Sequence, residues 1–467
     1  MSQGVTEQLA AFVADASFSA LPDEVVAHCE RAVVDWLGSA LAGSLEPPAH
    51  MARQVVEALG VSDACSVFPS GRSSAAGAAM ANGVASHILE LDDVHKGSTL
   101  HAAAPVIPAA LAVAEREHAT GAAFLLAVAL GYDAALRVGE AVNPSHYRFW
   151  HPTGTAATFG AAAAAASLLG LDRHGARDAL GSAGTQASGL WEFNADGSMS
   201  KHLHPGKAAM NGVIAADLAR VRFTGASRIL EGERGFFHAT AAEADPTRIT
   251  DALGTRWKVA ENCYKLHACC GHTHAAIDMA LEHRAARGWH GAEAVGDLRE
   301  VVVETYGPGY EIVKEANPRA PYQAKFSLAY VVAVGLLEGV VGLEQFGVGR
   351  FRPEGVVHAE VAALLPRIHV RVAPDLTAKY PAEWGTRVTF VHGDGTRVSR
   401  GAAYPRGNPE NPVSTEMLRA KAHALLAPRF GDGPARAALA WVDGLREARD
   451  MAAHTRQLMA AMEGKHG

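Results

Sequence analysis

Apolar residues recur at intervals of three and four through the first 260 positions, and little in that stretch alternates with period two. Such spacing lines one face of an α-helix with apolar side chains. Leu21-Pro22-Asp23-Glu24 opens a helix that runs on through HCERAVVDWLGSALAG and stops near Gly43, with proline and acids at its start, where a helix accommodates them. Further helices are predicted at about 73–90, 104–117, 121–139, 156–169, 175–185 and 207–219. Many carry Ala and Gly on the apolar face, which lets helix axes approach closely.

The rhythm changes after about residue 265. A helix predicted at 273–288 is followed by the β-branched run LREVVVET at 298–305, which reads as a strand. KFSLAYVVAVGLLEG at 325–339 reads as a helix, and 368–372, 386–391 and 397–400 as strands. The last two are joined across His392-Gly393-Asp394-Gly395, a hairpin signal. From Ser414 onward the chain is helical again, entered through GNPENPVST. The predicted fold is mainly α: a large all-helical domain built from residues 1–265 and 406–467, with a smaller α+β lid domain, 266–405, inserted between them.

Composition narrows the partners. With 42 basic and 49 acidic residues the net charge is −7, and no Lys/Arg-rich block breaks the pattern, so nucleic acid is not expected. The N-terminus lacks both a basic start and a sustained apolar core, and no run resembles the roughly 18 uncharged apolar residues of a membrane span. A cytoplasmic protein with no membrane partner is expected. Five cysteines, an odd number, suit a reducing compartment. Cys263, Cys269 and Cys270 cluster, but two adjacent thiols do not readily aim at one iron–sulfur cluster, so they read as buried thiols.

The densest chemistry lies at His87-Ile-Leu-Glu90-Leu-Asp92-Asp93-Val-His95, continuing through Lys96-Gly-Ser-Thr-Leu-His101, with three carboxylates and three imidazoles in fifteen positions. Ionisable groups crowded against apolar surface acquire shifted pKa values suited to proton transfer. Four other segments concentrate polar groups: His151-Pro-Thr-Gly-Thr, Ser200-Lys201-His202-Leu-His204-Pro-Gly-Lys207, Lys265-Leu-His267 through His272-Thr-His274, and Arg319-Ala-Pro-Tyr322-Gln-Ala-Lys325. Lysine, arginine and helix starts together suit a small substrate bearing carboxylates. His101, His151 and His274 each stand beside a turn and a helix start and are the expected proton carriers. His87, His95, His202 and His272 read as supporting or surface groups, Lys207 and Lys265 also suit solvated charges, and Asp92 or Asp93 also suits a helix cap. His87, Asp92, Asp93, His95 and His101 are suitable metal ligands, yet no HEXXH spacing is present, and no metal or other cofactor is expected. GxGxxG after a strand, GxxxxGK[ST] and GxSxG are missing as well.

These segments, in this order, resemble the MmgE/PrpD family, which includes 2-methylcitrate dehydratase, cis-aconitate decarboxylase and iminodisuccinate epimerase. The resemblance runs from LPDEVVAHCERAVVDWLGSALAG through LELDDVHKGSTLHAAAPVIPAALA, HPTGTAATFGAAAAAASLLGL, SKHLHPGKAA, YKLHACCGHTHAAID and AKFSLAY to GNPENPVSTEMLRAK. It implies a helical domain with an α+β lid, a homodimer, and a cofactor-independent lyase working by acid–base chemistry at the carbon next to a carboxylate. By motif it implies Asp92, Asp93, His101, His151, Lys201 and His274 as catalytic residues. His95, His204, Lys265, Arg319, Tyr322 and Lys325 are the expected substrate contacts. An epimerase of a small dicarboxylate and an inactive carboxylate-binding homologue are the alternatives. Val94 stands where many members have Thr, and Ala102-Ala103 where Pro and a small residue are usual, so one hydroxyl contact to substrate is expected to be missing.

Overall fold

The helical rhythm of the first half is realised almost as read. In the computed structural model, which describes residues 4–60 and 62–463, 59% of the chain is helix and 10% strand. Contacts divide the chain into two units. The first comprises Met1–Ile88, Asp92–Cys263 and Ser414–Gly467; the second comprises Leu89–Leu91 and Tyr264–Val413.

The first unit is built on α1 (Asp23–Gly43), α2 (Ala75–His87), α3 (Ala103–Arg116), α4 (Gly121–Val142), α5 (Ala156–Leu168) and α6 (Ser200–Arg220). Its small residues do what the sequence pattern predicts. A Cβ on Gly160 of α5 would lie 2.5 Å from the Gly131 carbonyl of α4, and one on Gly83 of α2 would lie 2.8 Å from the Gly206 Cα of α6. These helices therefore touch backbone to backbone, and alanine at either crossing would push the axes apart. Helix α4 has the length and composition of a membrane span, contrary to the sequence expectation, but 89% of its most apolar window is buried inside the protein. It also buries a charge pair: Arg137 Nε donates to Asp133 Oδ1 at 2.7 Å, and its other nitrogens donate to the carbonyls of Arg248, Ile249, Asp251 and Arg256. Buried charge is tolerated where it is this fully partnered.

Helix α6 departs from the reading by two turns. The sequence predicts a start near 207 after Pro205-Gly206, whereas the helix begins at Ser200 and carries Pro205 inside it. In the second turn a proline forfeits one helical hydrogen bond, to the Lys201 carbonyl, and the neighbouring glycine is what admits α2.

In the second unit, β1 (Leu298–Thr305), β2 (Ile368–Val372), β3 (Thr386–His392) and β4 (Arg397–Ala402) form a four-stranded sheet of order β2-β1-β3-β4. β1 pairs parallel with β2, Val301 opposite Ile368, and antiparallel with β3, Val303 opposite Val388. β3 and β4 form the predicted hairpin. Helices α7 (His274–Arg287) and α8 (Leu328–Glu338) pack on each other, and α7 also packs on β3. The chain then returns to the first unit through α9 (Thr415–Phe430), capped by the Ser414 hydroxyl. There Lys421 of α9 reaches the buried Asp35 of α1 at 2.6 Å.

Candidate active site

Helix α2 ends at His87 and α3 begins at Ala103, so the acid- and imidazole-rich motif is the loop between two buried helices. His87 is fully buried, with Nδ1 2.6 Å from Asp92 Oδ2. The same oxygen lies 3.4 Å from His101 Nδ1, which is 2.5 Å from the Asp93 carbonyl. A carbonyl only accepts, so a proton is assigned to His101 Nδ1, and in the neutral form of the ring the lone pair is on Nε2. His87 Nδ1 faces the Asp92 carboxyl group in a comparable way.

His151, in the turns ahead of α5, completes the group. Its ring centroid lies 5.7 Å from that of His87 and 6.4 Å from that of His101. Its Nδ1 is 3.0 Å from His204 Nδ1. Because α6 starts at Ser200, Lys201 and His204 are a helical turn apart and share a face; both are buried. Burial foremost, then the neighbouring His204, His87 and Lys201, hold His151 well below the usual imidazole range. Burial, with Lys207 next, pushes His204 down to about 4. Both rings are neutral at pH 7 and able to accept a proton.

Asp93 is buried and takes three hydrogen bonds, from the Tyr132 hydroxyl at 2.6 Å, Asn262 Nδ2 at 2.7 Å and the Ala103 N–H at 3.1 Å. It thus caps α3 from ten residues away. None of these donors is a cation, and burial raises its carboxyl to about 7 against the pull of Tyr132. Thr99 sits in the left-handed region at φ +48, an uncommon place for a β-branched residue. Asn143 holds it there, with Nδ2 2.5 Å from the Ser98 carbonyl and 2.9 Å from Thr99 Oγ1. Lys207, open to a solvated reading in the sequence, is clamped instead. Its ammonium donates to the carbonyls of Gly154, Gln186 and Ser188, tying together the loops around His151, and burial lowers it to about 8.

His95 faces a different network in the same unit: Nδ1 is 2.9 Å from Ser98 Oγ and Nε2 is 3.4 Å from Glu261, which Lys258 binds together with Glu140. Val94 is buried, and its backbone pairs with Cys263.

The second unit gathers Lys265, Tyr322 and Lys325 around residues 89–91. Lys265 is buried, 3.5 Å from the Glu90 carboxylate and 3.2 Å from the Glu90 carbonyl, and Lys325 donates to the Leu89 carbonyl at 2.9 Å. Glu90 is itself in the left-handed region, at φ +60. Burial first and then Glu90 raise the Tyr322 phenol. His274 starts α7, with Nε2 3.3 Å from the Cys269 carbonyl and its ring 5.0 Å from that of His267, which pairs with Asp278 at 3.1 Å. Arg319 is exposed. All five cysteines are buried thiols outside any disulfide, as expected for Cys263, Cys269 and Cys270, and burial pushes the Cys269 thiol up to about 12.

The structure therefore brings together His101, His151, His204, Asp92 and Asp93 of the predicted set, with His87 added at the centre. The sequence reads His87 as a supporting or surface group and as a suitable metal ligand, not as the centre of the cluster. A cavity of about 730 Å3 in the first unit, lined by Asn143, Arg148, Phe149, Trp150 and Thr240 among others, includes none of the predicted site residues.

Comparison with known proteins is consistent along the chain. Residues 7–249 match the MmgE/PrpD N-terminal domain and residues 267–447 the MmgE/PrpD C-terminal domain. A cis-aconitate decarboxylase-like protein, oryM, of Aspergillus oryzae is 28% identical over 447 residues, covering 89% of this chain and 89% of its own. The cis-aconitate decarboxylase of Aspergillus terreus is 26% identical, covering 90% and 89%. The human cis-aconitate decarboxylase is 27% identical, covering 91% and 88%. With both domain models matched in order over most of its length, this chain belongs to the MmgE/PrpD family.

Proposed function

We propose that this protein is a cofactor-independent lyase that moves a proton at the carbon next to a carboxylate of a small di- or tricarboxylate, by dehydration or decarboxylation. The observation that carries this reading is the cluster of imidazoles at His87, His101, His151 and His204, three of them buried and His101 partly so, in which His151 and His204 are kept neutral. A neutral ring whose Nδ1–H donates a hydrogen bond offers Nε2 as a base and returns the proton from the same atom; across the Nδ1–Nδ1 contact of His151 and His204 this assigns the donating proton to His151. His101 and His151 take these roles. Asp92 orients His87 and His101 through one shared oxygen, and Asp93 fixes the loop. Lys201 meets a substrate carboxylate and stabilises the charge that develops as the proton leaves. The named activity of the relatives, all cis-aconitate decarboxylases or like them, supports the lyase class.

Epimerisation of a small dicarboxylate is the second reading, favoured by the same pair of imidazoles, since inverting a carbon takes two bases. Incubation in heavy water with a panel of di- and tricarboxylates, cis-aconitate included, separates the readings. A lyase exchanges the proton and releases water or carbon dioxide; an epimerase exchanges it and keeps every carbon. Tight binding with no exchange on any member would leave the inactive carboxylate-binding homologue. Turnover is expected to survive exhaustive chelation, and a chelator-sensitive rate restored by one metal would overturn the cofactor-independent mechanism.

A further inference from the structure

We infer that the imidazole cluster of the first unit is a binding site for a borderline divalent transition metal of the zinc class, and that a metal held there silences the site. The silencing half rests on the lyase reading; the binding half rests on geometry alone. One ring nitrogen from each of His87, His101 and His151 lies within 4.8 Å of the others. Three imidazoles with a fourth position left open are a set that tetrahedral zinc takes. At the usual zinc–nitrogen distance of about 2.0–2.1 Å the nitrogens stand roughly 3.4 Å apart. The rings must therefore draw in by about 1 Å or slightly more. His101, whose side chain keeps 12% of its exposure, is the one with room to move.

The surroundings are already those of metal-bound histidines. His87 Nδ1 is held by the Asp92 carboxylate and His101 Nδ1 by the Asp93 carbonyl, outer contacts that fix the tautomer and leave Nε2 for the ion. His87 Nε2 is buried and has no hydrogen-bond partner, although the whole residue is inaccessible to solvent. An acceptor left bare in the interior is costly and needs an explanation; a metal supplies one. The Lys201 ammonium, which acts on His151 and His204, opposes a cation, and the Asp92 carboxylate counters it. A second cluster with ligand-type atoms, His95, Glu140 and Glu261, differs on this point: the Lys258 ammonium lies 2.9 Å from Glu140 and 3.0 Å from Glu261, already filling the cation position. A metal bound to one ring nitrogen of each histidine takes up lone pairs that proton abstraction requires, so the expected effect on turnover is inhibition.

The test uses untagged full-length protein stripped by a chelator and titrated with zinc in competition with a chromogenic chelator, and in parallel with cobalt(II) by visible absorption. The expected result is one zinc per chain and the strong bands of a tetrahedral cobalt(II) centre. Binding should be lost in His151→Ala and weakened by about 10–100-fold in Asp92→Asn, which removes only the outer contact. Melting curves of the metal-free variants report whether they fold; if neither does, the wild-type cobalt spectrum decides by itself. No binding by the wild type, a weak octahedral-type cobalt spectrum, or a stoichiometric site untouched by both substitutions would overturn the proposal. With an exchanging substrate in hand, zinc should suppress exchange in step with occupancy and a chelator should restore it. Full exchange by zinc-loaded protein overturns the silencing half. Absence of exchange by the metal-free protein counts against the lyase reading and not against the site.

Discussion

In the first unit, imidazole is packed against imidazole: His87 with His101 at 4.8 Å between centroids, and His151 with His204 at 5.2 Å, with Asp92 serving two of the rings at once. In the second unit, side chains of opposite type are matched in pairs, Lys265 with Glu90 and His267 with Asp278. Burial is similar in the two places, and the outcome differs. Like groups crowded together lose their charge on desolvation, as His151 and His204 do. Opposite groups in register offset the cost of burial for each other. Crowding prepares groups that exchange protons; pairing prepares groups that hold position.

The contrast is broken most sharply at His101. Replacing it with alanine should lower turnover by 10²- to 10⁴-fold, the usual range for a general acid or base, with the melting temperature close to that of the wild type. A near-normal rate would remove His101 from the mechanism and leave the crowded cluster without its proton carrier. In the paired region the large effect should fall on stability. Glu90→Gln leaves the Lys265 ammonium buried without its carboxylate, which should cost about 3 kcal/mol in denaturant unfolding. The double variant Glu90→Gln/Lys265→Met should recover part of it. A single-variant cost below about 0.5 kcal/mol would mean the pair is not a structural tie.

Asp93 tests the crowded region by pH. Its carboxyl is raised from 3.8 to about 7, so its stabilising contribution is complete below pH 3.8 and is lost as pH rises through 7. Asp93→Asn does not titrate. Relative to the wild type it should therefore gain on the order of 2 kcal/mol between pH 5 and pH 8, measured as the difference between two unfolding series. A pH-independent difference would show that Asp93 is ionised throughout. The smallest expected effect belongs to Lys201→Met, which should lower kcat/KM by somewhat more than tenfold, about 1.4 kcal/mol, while Lys201→Arg rescues it only in part. Equal rates in Met and wild-type proteins would make Lys201 a buried structural cation.

Much of this molecule was readable because its signals are local. Helical spacing in the first half, β-branched runs at 298–305, 368–372 and 386–391, and the turn at 392–395 each depend on neighbours a few positions away, and the elements formed where they were expected. The start of α6 was misplaced because Pro205-Gly206 carries the local signature of a stop. Its use as a close crossing depends on Gly83, more than a hundred residues earlier. With the helix starting at Ser200, the spacing of Lys201, His204 and Lys207 places all three toward one side.

By itself, the sequence determined the mainly α architecture, the α+β content of the second part, the family, and the segments in which acidic and imidazole groups concentrate, since periodicity and motif are properties of contiguous residues. The tertiary structure decided which groups in those segments meet as crowds and which as pairs. His87 became the buried centre of the imidazole cluster, His95 went to the Glu261 network, Lys207 became a clamp on three carbonyls, and Tyr132 and Asn262 proved to be the donors that hold Asp93. Charge state inside a protein depends on burial and on partners from distant parts of the chain, and both exist only once the chain has folded.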